Sequence, residues 1–366
     1  MSIIIPDIDP IIVSLTELPW LLNLGCINKY FNKLVSEQQI ASQYLIIRNL
    51  CGEGPIDEIF MKICEKGFLL YGMFIIKENK IDIHANNEIA FQKSCRNDHI
   101  EIARWLIRLG ESEDYNKINI HSGTEQAFVW SCGNGHIEIA QWLIHLGESQ
   151  DYNKINIHAY NELAFILSCE SGHIEIAQWL IHAGESEGYN KINIHADNEL
   201  AFRWSCENGH IEIARWLIRL GESEGYGKID IHHGAEEYAF RWSCENGCIE
   251  IARWLIRLGE SEGYGKIDIH AADEYAFRLS CKIGHNKIAH WLIQLGEYGD
   301  YGKINIHVYT EYAFRLSCEN GHIEIAHWLI QLGESREYGK IDPMLINMYI
   351  KNWIIIIPDI DPIIAP

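Results

Sequence analysis

Apolar and polar residues follow one repeated pattern through most of the chain. The clearest instance is INIHADNELAFRWSCENGHIEIARWLIRLGESEGYGK, residues 192–228. Within it, His210 to Leu220 carries apolar residues at 211, 213, 214, 217, 218 and 220. That is helical spacing with one broad apolar face, and it predicts an amphipathic helix. Gly221 stands where a helix ends on a left-handed C′ residue. The shorter apolar-rich run Glu199 to Cys206 predicts a short first helix, and Asn208-Gly209 between the two is a turn signal. The remainder, ESEGYGKIDIH, reads as an extended, glycine-rich finger. Each unit is therefore helix, turn, helix, finger.

The pattern repeats. Trp105, Trp142, Trp179, Trp216, Trp254, Trp291 and Trp328 recur every 37 residues, with one step of 38. Cys95, Cys132, Cys169, Cys206, Cys244, Cys281 and Cys318 keep the same step. Seven full units run without a gap over residues 81–340, and the extra residue falls in HHGAEE, residues 232–237. No unit can bury its apolar face alone, so neighbours must stack into an all-α solenoid. Residues 57–80 form a degenerate first unit, with Cys64, Gly67 and Phe74 in the Cys, Gly and Trp columns. Residues 341–366 read as a C-terminal capping helix and tail.

Composition narrows the function. Of 366 residues, 48% are hydrophobic and 22% charged, which suits a globular core. A formal net charge of −21 excludes a general affinity for nucleic acid or anionic membranes. The N-terminus MSIIIPDIDP lacks the basic region of a signal peptide. The C-terminal apolar run, Trp353 to Ile357, is far too short to span a membrane. Of eleven cysteines, seven keep the repeat step, which points to a reducing compartment, cytoplasmic or nuclear, rather than a disulfide scaffold.

Candidate chemistry is sparse. The cysteine column reads as a small buried hydrophobe between helices. Cys206 and His210 form a C-x3-H pair, but stacked repeats give separated rows where zinc needs about four converging ligands. In HIEIAH, His322 and His327 are five apart and cannot share a helix face as zincin histidines do. No nucleophile–base pair or phosphate loop is present, so neither an enzyme nor a cofactor is expected. The tryptophans are expected to pack the core. His84, His121, His158, His195, His232, His270 and His307 stand at the finger base, where a hydrogen bond to the neighbouring finger is expected. A row of histidines is also a candidate pH sensor. Glu111, Glu148, Glu185, Glu222, Glu260, Glu297 and Glu334 follow the helix-ending glycines, and a lysine row from Lys117 to Lys340 follows in the fingers. Partial pairing on a solvated face is expected, with a banded binding surface as the sharper alternative.

The segment LAFRWSCENGHIEIARWLI resembles the ankyrin repeat, most closely in its Gly-His-Ile-Glu-Ile-Ala run. It departs in lacking the usual Thr-Pro-Leu-His turn and in a period about four residues above the usual 33. The long fingers resemble the ankyrin arrays of giant DNA viruses of amoebae. The resemblance implies a concave face of finger tips and first helices that binds a protein target, with the chain a monomer. Carried over by column, the positions that vary between units on that face are Asn87, Thr124, Tyr160, Asp197 and Tyr309, with Arg203, Arg241, Arg278 and Arg315 on the first helices. Neutral drift at exposed sites is the alternative.

The N-terminal fifty residues are different. Pro6, Ile11, Leu15, Leu24, Ile27, Phe31 and Leu34, with the run INKYFNKLVSE, resemble the F-box. Pro10 departs from it by breaking a helix begun at Pro6. A helical cap on the first repeat is the alternative. The F-box resemblance implies docking to a Skp1-like adaptor of a cullin ubiquitin ligase, with the array selecting the substrate. A scaffold that masks a host protein, with no ubiquitin link, is the competing function. The segment IIIPDIDPII occurs at 3–12 and again at 355–364. Only the first copy leads into a helical segment, so the second reads as a relic of duplication.

Overall fold

The computed structural model describes residues 54–356 except 113–114, 150–151, 187, 224, 234–235, 262 and 336. The F-box-like residues Pro6, Ile11, Leu15, Leu24, Ile27, Phe31 and Leu34, and the tail beyond residue 356, lie outside the described residues. Among the described residues there are seventeen α-helices and no strand.

The chain divides into two compact units. Among the described residues, the first comprises 54–168 with Trp179–Asn190, the second Cys169–Gln178 with 191–356. Helices come in pairs. α1 (Ile56–Glu65) and α2 (Leu69–Glu78) form the degenerate unit. Three full pairs follow: α3 (Ala85–Arg96) and α4 (Ile100–Gly110), α5 (Ser122–Gly133) and α6 (Ile137–Gly147), α7 (Ala159–Glu170) and α8 (Ile174–Gly184). The next are α9 (Ala196–Glu207) and α10 (Ile211–Glu222), then α11 (Tyr238–Glu245) and α12 (Ile249–Gly259). The last are α13 (Ala271–Ile283) and α14 (Asn286–Tyr298), then α15 (Val308–Glu319) and α16 (Ile323–Glu334). α17 (Pro343–Ile356) packs on α15, with the Phe314 and Tyr349 rings edge to face at 6.2 Å.

The periodic positions make the core. In α10, Ile213, Ala214, Leu217 and Ile218 are buried, as the helical spacing requires. Phe91 and Phe128 in the first unit, and Phe202, Phe240, Phe277 and Phe314 in the second, are fully buried. Four of these phenylalanines meet the tryptophan of the next repeat at 6.3 Å: Phe91 with Trp142 and Phe128 with Trp179 in the first unit, Phe202 with Trp254 and Phe240 with Trp291 in the second. The tryptophan column is thus a packing column between repeats. The columnar cysteines are buried, and burial pushes the thiols of Cys95, Cys132 and Cys206 up. They are inert small hydrophobes.

The Gly-His pairs act between repeats rather than within one. Gly247 has φ +80°, and a Cβ there would lie 2.8 Å from the His285 ring of the following repeat. Glycine serves twice here, by its left-handed backbone and by leaving room for the imidazole. In the first full repeat Asp98 takes the same left-handed conformation, φ +63°.

The fingers are held by short polar contacts. Two residues before each finger-base histidine stands Asp or Asn, whose Oδ1 accepts the histidine's backbone N–H: 3.1 Å for Asn156 to His158 and 3.0 Å for Asp230 to His232. These are Asx-turns, which explains the column.

Candidate protein-binding surface

Between the finger and the first helix of six full repeats, three consecutive residues are left-handed. In α9 they are Asp197, Asn198 and Glu199, with φ 49°, 60° and 63°. The first helix therefore turns right-handed only at Leu200, one residue later than the apolar pattern suggests. Asn86, Asn87 and Glu88 do the same in α3, Tyr160, Asn161 and Glu162 in α7, and Tyr309, Thr310 and Glu311 in α15. Such backbone is unfavourable for residues other than glycine, least so for Asn and Asp. It persists only where its surroundings over-determine it.

Two sets of bonds supply that determination. The third left-handed residue is always a buried glutamate. Glu125 accepts from the His121 ring at 2.8 Å and from the backbone N–H of Asn156, in the next finger, at 3.0 Å. In the second unit Glu274 pairs with His270 at 2.9 Å and accepts from the Asn305 N–H at 2.9 Å. The finger-base histidines thus reach the neighbouring finger through a carboxylate, and His195, His232, His270 and His307 also bond to it directly, as expected.

The other set comes from the first helix and bonds back to the turn carbonyls. Gln92 Nε2 donates to Asn87 O at 2.8 Å, and Arg203 Nη1 to Asn198 O at 3.0 Å. Arg241 Nη1 donates to Glu236 O at 2.9 Å, and Arg278 Nε to Asp273 O at 2.6 Å. The arginines also stack on tyrosines of the following repeat. Arg203 lies 4.9 Å from the Tyr238 ring centre, Arg241 4.0 Å from Tyr275, and Arg278 4.8 Å and 5.1 Å from Tyr309 and Tyr312. Arg241 and Arg278 are buried, at 7% and 8% exposure, while Arg203 and Arg315 are half-buried.

The candidate binding residues therefore separate into two sets. Asn87, Thr124, Tyr160, Asp197 and Tyr309 stand exposed on the left-handed turns, Tyr160 at 55% and Tyr309 at 56%. The four arginines lie beneath the turns and clamp them. A ring hydroxyl links successive tips: Tyr160 donates to Gly123 O at 3.0 Å, and Tyr309 to Asp273 Oδ2 at 2.5 Å.

Sequence reasoning passed over the buried glutamates and the stacked tyrosines. The glutamate at 88, 125, 162, 199, 237, 274 and 311 is present in all seven full repeats. An acidic residue constant beside variable tips signals an internal role. The tyrosine column is Ile89, Gln126, Leu163 and Leu200 before it becomes Tyr238, Tyr275 and Tyr312. It changes in the repeat after Arg203 appears, and that paired change marks a contact.

The acidic and lysine rows also pair differently from expectation, with a tyrosine between them. Lys228 lies 4.2 Å from the Tyr264 ring centre, and the Tyr264 hydroxyl donates to Glu222 at 2.8 Å. Burial, then the bond to Glu222, raise this phenol above its ordinary value. Lys266, Tyr301 and Glu260 repeat the arrangement.

A family model agrees with this architecture over part of the chain. The family model for ankyrin repeats, in three copies, matches residues 58–156 and again 95–193. The crystal structure of the human ASB11 ankyrin repeat domain aligns with 66% of this chain and 98% of its own, at 14% identity and a TM-score of 0.40. No curated protein matches the chain. Ankyrin repeats are present, the fold is an all-helical ankyrin-type solenoid, and such repeats are a protein-interaction domain. No described helix is long and apolar enough to cross a membrane.

Proposed function

We propose that this chain is a non-catalytic binding protein whose left-handed turns contact a protein target. One observation carries the reading: the buried glutamate, phenylalanine and cysteine columns are constant through the seven full repeats, whereas the exposed turn residues vary, with Asn87, Thr124, Tyr160, Asp197 and Tyr309 among them. A surface whose frame is held by buried bonds while its side chains vary suits recognition. The F-box-like segment supports a finer reading, in which residues 1–50 dock a Skp1-like adaptor and the array recruits a substrate for ubiquitination. The long fingers support a viral, host-intracellular setting. The competing function is a scaffold that masks its target without a ubiquitin link.

Pull-down with Skp1 separates the two. The full chain should bind, and Phe31→Asp should abolish binding while the melting of the array stays unchanged. A full chain that captures its target but never Skp1 leaves the masking function.

A further inference from the structure

The finger-base histidines are of two kinds, and one finger residue divides them. The first three full fingers read Tyr-Asn-Lys, at 115–117, 152–154 and 189–191, and the last four Tyr-Gly-Lys, at 226–228, 264–266, 301–303 and 338–340. Gly227, Gly265, Gly302 and Gly339 have φ of +93°, +91°, +89° and +84°, whereas Asn116, Asn153 and Asn190 do not take positive φ. The glycines also lie against the preceding repeat's imidazole. A Cβ on Gly227 would stand 3.4 Å from His195 Nε2, and one on Gly265 3.3 Å from His232 Nε2.

This backbone aims a carbonyl at the histidine. His195 Nε2 lies 2.9 Å from Tyr226 O, His232 Nε2 2.8 Å from Tyr264 O, His270 Nε2 2.8 Å from Tyr301 O, and His307 Nε2 2.7 Å from Tyr338 O. The Nε2 atoms of His84, His121 and His158 are buried without a hydrogen-bond partner. Each of the four C-terminal rings thus faces acceptors at both nitrogens, since Nδ1 meets Glu199, Glu237, Glu274 or Glu311 at 2.7–2.9 Å.

A neutral imidazole has one N–H and one lone pair. A carbonyl oxygen cannot donate. Satisfying both acceptors therefore requires either imidazolium beside carboxylate, or neutral imidazole beside a protonated carboxyl. In both cases the His–Glu pair holds one proton more than neutral histidine with carboxylate.

The charges acting on these rings are carboxylates: Glu199 on His195, Glu237 and Asp230 on His232, Glu274 and Asp268 on His270, and Glu311 on His307. The finger cations Lys191, Lys228 and Lys266 lie over the rings of Tyr226, Tyr264 and Tyr301. Burial of the imidazoles opposes their charge, but the bonds to carboxylate and carbonyl outweigh it, and all four are raised above the ordinary histidine value. Burial also pushes Glu237 up, which keeps the proton in that pair.

We propose that the four C-terminal fingers are closed by proton-bearing His–Glu locks, a pH-sensitive device completed by an acceptor that the three N-terminal fingers lack. Loss of the proton leaves the tyrosine carbonyl facing a lone pair, or the glutamate without its donor, and the finger loosens. Because Glu199, Glu237, Glu274 and Glu311 also end the left-handed turns or cap the helix that follows, loosening reaches the displayed tips. This last consequence rests on the turns being the binding surface; the lock itself does not.

The test is nitrogen magnetic resonance of the full chain labelled with ¹⁵N-histidine, each ring assigned by its His→Gln variant. The rings of His195, His232, His270 and His307 should titrate above the ordinary value of about 6.5. Gly227→Asn should lower the midpoint of His195 alone, and Gly265→Asn that of His232 alone. Titration at the ordinary value, or midpoints indifferent to the glycine variants, would overturn the proposal. Should the variants fail to fold, hydrogen exchange on the wild-type chain decides. Protection of the Asp230, Asp268 and Asn305 amides, corrected for intrinsic rate, should fall as pH rises through the midpoints. Flat protection would overturn the lock.

Discussion

The guanidinium carbon of Arg241 lies 4.0 Å from the centre of the Tyr275 ring, one repeat further along the chain. The same guanidinium donates to Glu236 O and Glu236 Oε2, both at 2.9 Å. One side chain thus closes the turn of its own repeat and stacks on the next. A double-mutant cycle with Arg241→Ala and Tyr275→Leu should give a coupling of about 0.5–2 kcal/mol in urea denaturation. Arg241→Lys should lose most of it, because an ammonium cannot fork to the turn and stack at once. A coupling near zero would mean that the stacking is incidental.

The glycine columns offer an internal comparison. Gly247 and Gly321 have φ of +80° and +78°, but a Cβ on Gly247 meets the His285 ring at 2.8 Å and one on Gly321 meets nothing within 4 Å. Gly321→Ala should cost only the backbone strain, about 1–2 kcal/mol. Gly247→Ala should cost measurably more in the same melts, and that excess should vanish when the change is made in a His285→Ala background. Equal costs at the two glycines would refute the inter-repeat contact.

Phe202 is fully buried and touches Trp254 of the next repeat at 6.3 Å. Phe202→Ala should destabilise the second unit by about 3–5 kcal/mol through lost burial and a cavity. Hydrogen exchange should report the loss in α9 and α12 together. Loss confined to α9 would show that the repeats do not share this core.

The sign of the pH dependence follows from the raised histidines. His195, His232, His270 and His307 are raised by their carboxylate and carbonyl partners against the effect of burial. Groups raised on folding stabilise fully below the unfolded value, about 6.5, and that contribution is lost as pH rises through the folded values. Glu237, raised by burial, acts in the same direction. Urea midpoints should therefore fall between mildly acid and mildly alkaline pH, and fall less in a Gly227→Asn, Gly265→Asn double variant. An equal fall would place the pH dependence elsewhere.

Much of the fold was legible because helical spacing and a repeat period are strong signals. The apolar positions of α10, the Asn-Gly turn and the Trp and Cys columns all follow from them. The left-handed turns were not legible, since Tyr160-Asn161-Glu162 and Ala272-Asp273-Glu274 share only the final glutamate as a cue. Their conformation is imposed by tertiary bonds rather than by local preference. The four arginines looked like contact residues because they vary between repeats. Their variation follows that of Tyr238, Tyr275 and Tyr312 in the neighbouring repeat, so it records packing.

The central claim is that the tips bind and the clamps beneath them hold. It is tested most directly by quantitative proximity labelling in cells expressing the full chain, with two variants compared against it. One variant changes Asn87, Thr124, Tyr160, Asp197 and Tyr309 to serine. The other is Arg203→Lys, half-buried beneath its turn. The tip variant should melt close to the wild type yet lose its specifically labelled partners by about tenfold or more, as removal of a few central contacts does. The clamp variant should lose stability and partners together. Undiminished labelling by a folded tip variant would contradict the account.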